Sequence, residues 1–145
     1  MEHSIQVVAV QTPAQLEDAY TIRRKVFIEE QKVPEEIEMD DDDAHAFHAL
    51  ALLDGRPAGC GRFVDHGGAE VKIGRMAVLQ ELRGKDVGRA ILRFLMSEAR
   101  GRGFGHAVLH AQLTAEGFYL KEGFQPIGEE FEEAGIAHRK MERAL

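Results

Sequence analysis

The sequence predicts an α+β domain built on a mixed, mostly antiparallel sheet flanked by helices. Three observations carry that expectation. Apolar stretches of strand character and stretches of helical spacing follow one another as strand, helix, loop, strands, helix, strand, helix, strands. Asp54-Gly55 and Gly67-Gly68 stand between apolar runs, where hairpins need turns, so the middle strands should run antiparallel. Finally, 145 residues, 44% hydrophobic and 30% charged, suit one domain over 1–145 with a real core.

Composition narrows the function classes. A net charge of −7 argues against a broad nucleic-acid-binding face. No apolar run approaches the length of a membrane span. Cys60 is the only cysteine, so no intrachain disulfide can form. Met1-Glu-His-Ser carries no secretory pattern, and the expected location is cytoplasmic.

In chain order, Ile5 to Val10 reads as a strand. Thr12-Pro13-Ala14-Gln15 opens a helix, with Thr12 as cap, Pro13 in the first turn and Gln15 closing a capping box. Leu16, Ala19, Tyr20, Val26 and Phe27 form its buried stripe, and Arg23, Arg24 and Lys25 suit the negative end of its dipole. Val33-Pro34 breaks the pattern, and the acidic run from Glu35 to Asp43 reads as a solvated loop. Ala46–Leu53 and Arg56–Val64 are hairpin partners, the second weakened or bulged by Pro57, Gly59 and Gly61. A strand over Glu70–Val78, a helix to about Arg100 and a strand over His106–Gln112 follow. A short helix over Ala115–Glu122 and extended pieces from Gly123 and from His138 to Arg143 complete the chain.

The stretch from Met76 to Leu92 organises this order. It reads as a strand end, a loop holding Arg83, Gly84 and Lys85, and a helix with apolar Val87, Ala90, Ile91, Phe94, Leu95 and Ala99 on one face. A helix start leaves backbone amides without intrahelical partners at the positive end of the dipole, which suits phosphate. Arg83, Lys85 and Arg89 add cations there; the plainer reading is a solvated turn with ordinary surface basics. A second informative stretch runs from Gln112 to Phe124. Phe118 and Tyr119 are core aromatics on the plain reading, while a tyrosine near an anion site can donate a proton to a leaving group.

Together these stretches resemble the GNAT superfamily of N-acetyltransferases, whose acetyl donor is acetyl-CoA. The family's loop pattern, Gln/Arg-x-x-Gly-x-Gly/Ala, appears as Arg83-Gly84-Lys85-Asp86-Val87-Gly88. Its Asn-x-x-Ala-x-x-Phe-Tyr mark appears as Gln112, Ala115, Phe118 and Tyr119, with Gly123-Phe124 following. Arg23 to Gln31 with Pro34, and the tail from Glu132 to His138, look like the ElaA-like branch. The resemblance implies a GNAT-like fold and direct acetyl transfer from acetyl-CoA to a primary amine. It assigns the CoA pyrophosphate to backbone amides from Arg83 to Arg89, which take in Gly84, Lys85, Asp86, Val87 and Gly88. The pantetheine arm would pair with Met76, Ala77 and Val78, with Gln112 and Phe118 as further cofactor contacts. Tyr119 would assist the departing thiolate. Two departures stand out: Asp86 replaces the family's first glycine, and Gln112 replaces its asparagine.

An acceptor resembling lysine must lose a proton, at a cost of about 4–5 kcal/mol at pH 7. Glu70 is the first candidate base, because it lies thirteen residues before Arg83, the spacing found in some GNAT enzymes. His110, on the neighbouring strand, is the second. Phe27, Glu30 and Gln31, at the end of the first helix, are assigned to the acceptor side. No metal is expected: an EF-hand starting at Asp40 has His45 where glycine belongs, and His45 and His48 should face opposite ways on a strand. Two rivals fit the same residues, a non-catalytic acyl-CoA sensor and a phosphate-binding interaction protein. Edge strands near the C-terminal end make a homodimer a plausible assembly.

Overall fold

Seven strands form one sheet: β1 (Ile5–Ala9), β2 (Phe47–Leu53), β3 (Arg56–Gly67), β4 (Glu70–Val78), β5 (His106–Gln112), β6 (Gln125–Glu133) and β7 (Ile136–Ala144). Their spatial order is β1-β2-β3-β4-β5-β7-β6, with β4 and β5 parallel and every other pair antiparallel. This computed structural model describes residues 4–145, so Met1, Glu2 and His3 of the stretch read for a secretory signal lie outside the described residues. The turns follow the expected chemistry. Asp54 and Gly55 both take positive φ, as do Ala134 and Gly135, which is what two-residue hairpins with the twist of their strands require. Between β3 and β4 the two turn residues are Gly68 and Ala69, one position beyond the expected pair.

On one face of the sheet lies α1 (Pro13–Arg23), capped as the sequence predicts by Thr12 with Gln15 bonding back to it. The helix does not stop there. It continues as a wider π-helical segment, Arg24–Glu30, in which Gln31 N–H reaches back five residues to Val26 C=O. On the other face α3 (Val87–Gly101) lays Ile91, Leu92 and Leu95 across the sheet, each fully buried and each contributing about 1.5–3 kcal/mol. The glycines of β3 are explained by this helix. A Cβ at Gly59 would stand 2.8 Å from the Ile91 side chain, and one at Gly61 would stand 2.9 Å from it. They are seats for α3, while the register shift beside Ala58 comes next to Pro57. No described helix is long and apolar enough to cross a membrane.

The parallel pair is short. β4 and β5 match only from Glu70–Ile73 to His106–Leu109. Two residues on, Arg75 takes φ 52, and the β3–β4 register shifts across the same place. A bulge with a left-handed residue bends its strand, so the end of β4 turns away from β5 and the sheet splits. β7 begins at Ile136 rather than His138 and pairs with β5 through Gln112, keeping that half of the sheet intact.

The acidic run corrects the expected solvated loop. It folds as a short helix, α2 (Glu35–Glu38), and a 3₁₀ turn over Asp41–Ala44, and three arginines pair with Glu38, Asp40 and Asp43 while Glu35, Glu36, Asp41 and Asp42 stay exposed. Arg23, itself 1% exposed, bonds Glu38 and Asp43; Arg62 bonds Asp40 and Asp43; Arg75 bonds Asp40 and lies 3.2 Å from Glu38. Arg23 therefore serves this lattice rather than the helix dipole. Burial pushes the Glu38 carboxyl up, whereas hydrogen bonding by Arg62 pulls Asp40 down to about 2. Asp40 is ionised well below an unfolded aspartate near 3.8, so its contribution to stability is complete above that value and vanishes as pH falls through about 2. The urea midpoint should therefore fall steeply between about pH 4 and 2, and Asp40→Asn should flatten that fall while lowering stability at pH 7. An identical slope in the variant would remove Asp40 from the acid response.

Candidate active site

The split opens into a cavity of about 620 Å³ that passes through the sheet. Its walls include Met76, Phe118 and Tyr119 from the α3 side, and Lys72, His110 and Gln112 from the α1 side. A second cavity of about 570 Å³ lies at the start of α3, lined by Gly84, Asp86, Val87 and Arg89 among others. The two share Val78, Arg83, Gly88 and Phe118. A Cβ at Gly88 would touch Phe118 at 3.6 Å and Val78 at 3.8 Å, so the missing side chain keeps this neck open. The volumes are those of ordinary small-molecule sites.

The loop before α3 holds two residues at positive φ, Gly84 at 80 and Asp86 at 68. Aspartate tolerates this conformation better than most residues, which lets it stand where a glycine is usual. Its carboxylate does not cap the helix; it bonds Arg89 one turn on. The first intrahelical bond is Ala90 N–H to Asp86 C=O, so the amides of Val87, Gly88 and Arg89 precede the ladder. With the dipole of a fifteen-residue helix behind them, they make a candidate anion seat.

Arg83 does not reach into that seat. Its guanidinium makes two 2.7 Å bonds to Glu30, and its Nε–H donates to Val78 C=O at 3.0 Å. These bonds pull the Glu30 carboxyl down and the Arg83 guanidinium up. A cation assigned to the cofactor and an acid assigned to the acceptor are thus one clasp, joining the loop to the segment after α1. A second bridge spans the split itself. Gln31 and Gln112 exchange amide hydrogen bonds at 3.3 and 2.9 Å. Gln112, expected against the cofactor, has its amide engaged on the α1 side.

Tyr119, in α4 (Glu116–Lys121), is 9% exposed and packs edge-on against Phe118 and Phe124. Burial pushes its hydroxyl up to about 12. Phe27 joins the cavity wall from the π-helical segment. Cys60 is sealed between β3 and α1, and burial pushes its thiol up to about 12, so it is not a nucleophile at neutral pH.

The structure does not bring Glu70 to this cavity. Glu70 starts β4 at its closed end, eight residues or roughly 27 Å of strand from Val78. There it bonds His66 at 2.6 Å and His106 at 2.8 Å. A spacing of thirteen residues to Arg83 sets Glu70 at the start of its strand but does not show where along that strand the sheet splits. His110 does line the cavity, and it comes with two neighbours that sequence reasoning did not single out, Glu133 and His138. Their signal was the Ala134-Gly135 turn, which folds the tail into a hairpin beside β5. Arg62, Lys72 and Arg75 were also missed as wall residues. Among the described residues, no group of three or more His, Cys, Asp or Glu side chains is arranged to hold a metal ion.

Comparison with known proteins agrees with this geometry. The acetyltransferase (GNAT) domain family matches residues 9–145. YjcF of Bacillus subtilis, an uncharacterised N-acetyltransferase, is 35% identical over 138 residues, 94% of this chain and 98% of YjcF. Among solved structures, Escherichia coli ElaA is 27% identical with a TM-score of 0.82, covering 97% of this chain and 99% of ElaA. An acyl-CoA N-acyltransferase from Pseudomonas aeruginosa is 25% identical with a TM-score of 0.85, covering 97% of this chain and all of that one. A through-sheet cleft joined to an anion seat at a helix start, on a chain matched over nearly its whole length, makes this protein a member of the GNAT acetyltransferase family.

Proposed function

We propose that this acetyltransferase moves the acetyl group of acetyl-CoA directly to a primary amine. The observation that carries the reading is the cavity through the split, which offers the two substrates opposite faces of one sheet and joins the anion seat at its neck. The amides from Gly84 to Arg89 hold the pyrophosphate, with Lys85 on the same loop. Met76, Ala77 and Val78, at the strand end freed from β5, pair with the pantetheine arm, and Phe118 packs beside it. Backbone amides near Val78 meet the oxyanion as the amine attacks. Phe27, Gln31 and the Glu30–Arg83 clasp border the acceptor side.

Tyr119 assists departure of the sulfur by hydrogen bonding. Full proton transfer from a hydroxyl near 12 to the thiolate of an ordinary thiol near 8.5 would be uphill by about 5 kcal/mol. His110 stands in the wall as proton acceptor for the amine.

Calorimetric titration with acetyl-CoA, with ATP as control, tests the seat, and release of CoA thiol with a panel of primary amines tests turnover. Saturable acetyl-CoA binding well above ATP, followed by thiol release, is expected; binding without any turnover would favour a sensor. Tyr119→Phe should lower kcat by about 10- to 100-fold with CoA affinity within twofold. Asp86→Asn keeps a residue that tolerates positive φ and removes a negative charge beside the phosphates. It should tighten CoA binding by about threefold to tenfold, the gain shrinking with added salt. Unchanged affinity in low salt would place the pyrophosphate elsewhere.

A further inference from the structure

The wall of the cavity on the β5–β7–β6 side carries a side-chain cluster whose hydrogen bonds leave little freedom. His110 Nδ1 lies 3.0 Å from Glu133 Oε1. His138 Nδ1 lies 2.6 Å from Ile136 C=O, and its Nε2 lies 3.7 Å from Glu133 Oε2. Phe131 meets the His110 ring edge-on at 4.9 Å and stacks on His138 at 5.9 Å. Strand register brings them together: Phe131 pairs with His138, His138 with Gln112 and Lys140 with His110, so their side chains share one face. Glu133 reaches that face two residues after Phe131, at the end of its strand.

We propose that Glu133 is the positioning residue that makes His110 a proton acceptor, by fixing its tautomer, while Phe131 packs against both imidazole rings. A carboxylate only accepts, so the proton of neutral His110 must sit on Nδ1, and Nε2 keeps its lone pair. The His110 hydrogen bond, with the Lys72 charge adding to it, holds the Glu133 carboxyl below its usual value, so it is ionised at neutral pH. Ile136 C=O likewise only accepts, which puts a proton on His138 Nδ1, so Nε2, 3.7 Å from Glu133 Oε2, attracts that oxygen only when it too carries a proton. The other charges near His110 are Lys140 on the paired strand and Lys72 on β4. Glu142 is engaged with His106, while Glu38, Asp40 and Asp42 of the acidic run, with Arg62, Arg75 and Arg83, line the same cavity.

The inference rests on the amine-acceptor reading. His110 Nε2 takes one proton from the ammonium form of the acceptor, and Glu133 faces the resulting imidazolium. The freed nitrogen lone pair forms the C–N bond, the C–S bond breaks, and the second amine proton ends on the CoA thiol. His110 returns its proton to solvent.

Two measurements on the full chain test this. In a long-range ¹H–¹⁵N correlation spectrum of the unliganded protein at pH 8, His110 should show a protonated Nδ1 and a bare Nε2. Glu133→Gln should move a measurable fraction to the Nε2–H form, because a side-chain amide can also donate. A wild-type His110 protonated on Nε2, or a tautomer unchanged in E133Q, overturns the proposal without touching the transferase reading. With whichever amine in the panel releases CoA thiol, E133Q should lower kcat about 10- to 100-fold at unchanged acetyl-CoA KM. That deficit should close as pH rises toward the pKa of the amine, and His110→Gln should show the same recovery from a lower start. A deficit independent of pH, in variants that bind acetyl-CoA like the wild type, overturns the relay. Absence of turnover in the wild type instead defeats the transferase reading and leaves the tautomer result standing.

Discussion

One residue with the wrong hand for a strand sets the shape of this molecule. Arg75, at φ 52, ends the parallel pairing of β4 with β5 after four residues, and the split it causes becomes the cleft. Such a conformation costs a non-glycine residue on the order of 1–2 kcal/mol, so it persists only where its surroundings hold it. Here the holding is visible. The Arg75 guanidinium donates to the carbonyls of Ile37 and Glu38 and to the Asp40 carboxylate, tying the bent strand to the acidic segment that covers it.

The acidic segment is in turn held by Arg23 from α1 and Arg62 from β3. Charges this buried are not a cheap source of stability, because desolvation offsets much of the attraction. What the lattice supplies is placement. It fixes α1, β3, β4 and the loop between α1 and β2 to each other without filling the cavity they enclose. Apolar side chains of similar volume would satisfy the packing, but they would leave no directional bond to hold Arg75 in its left-handed state.

Periodicity and turn chemistry made most of the fold legible. The bounds of β4 and β5, the cap of α1 and the buried face of α3 all follow from residues adjacent in sequence. The lattice was not legible, since a run of Glu and Asp looks the same whether water or arginine faces it, and Arg23, Arg62 and Arg75 lie far apart in the chain. Among the proposed site residues, the loop from Gly84 to Arg89 could be placed because strand, loop and helix are contiguous. Gln31 against Gln112, eighty-one residues apart, could not. The placement of Glu70 shows the converse, for a spacing shared with other chains gave a position along a strand but not its distance from the split. The hairpin beyond Ala134 placed Glu133 next to His110 through two strand registers, and no local pattern encodes that meeting.

The sealed position of Cys60 has a chemical consequence of its own. Members of this family work beside activated thioesters, reagents that modify exposed cysteines by acyl exchange. Acyl exchange requires a thiolate that can be reached. With a thiol near 12 and a buried position, the single sulfhydryl of this chain is insulated from acyl donors, and self-acylation does not accumulate with use.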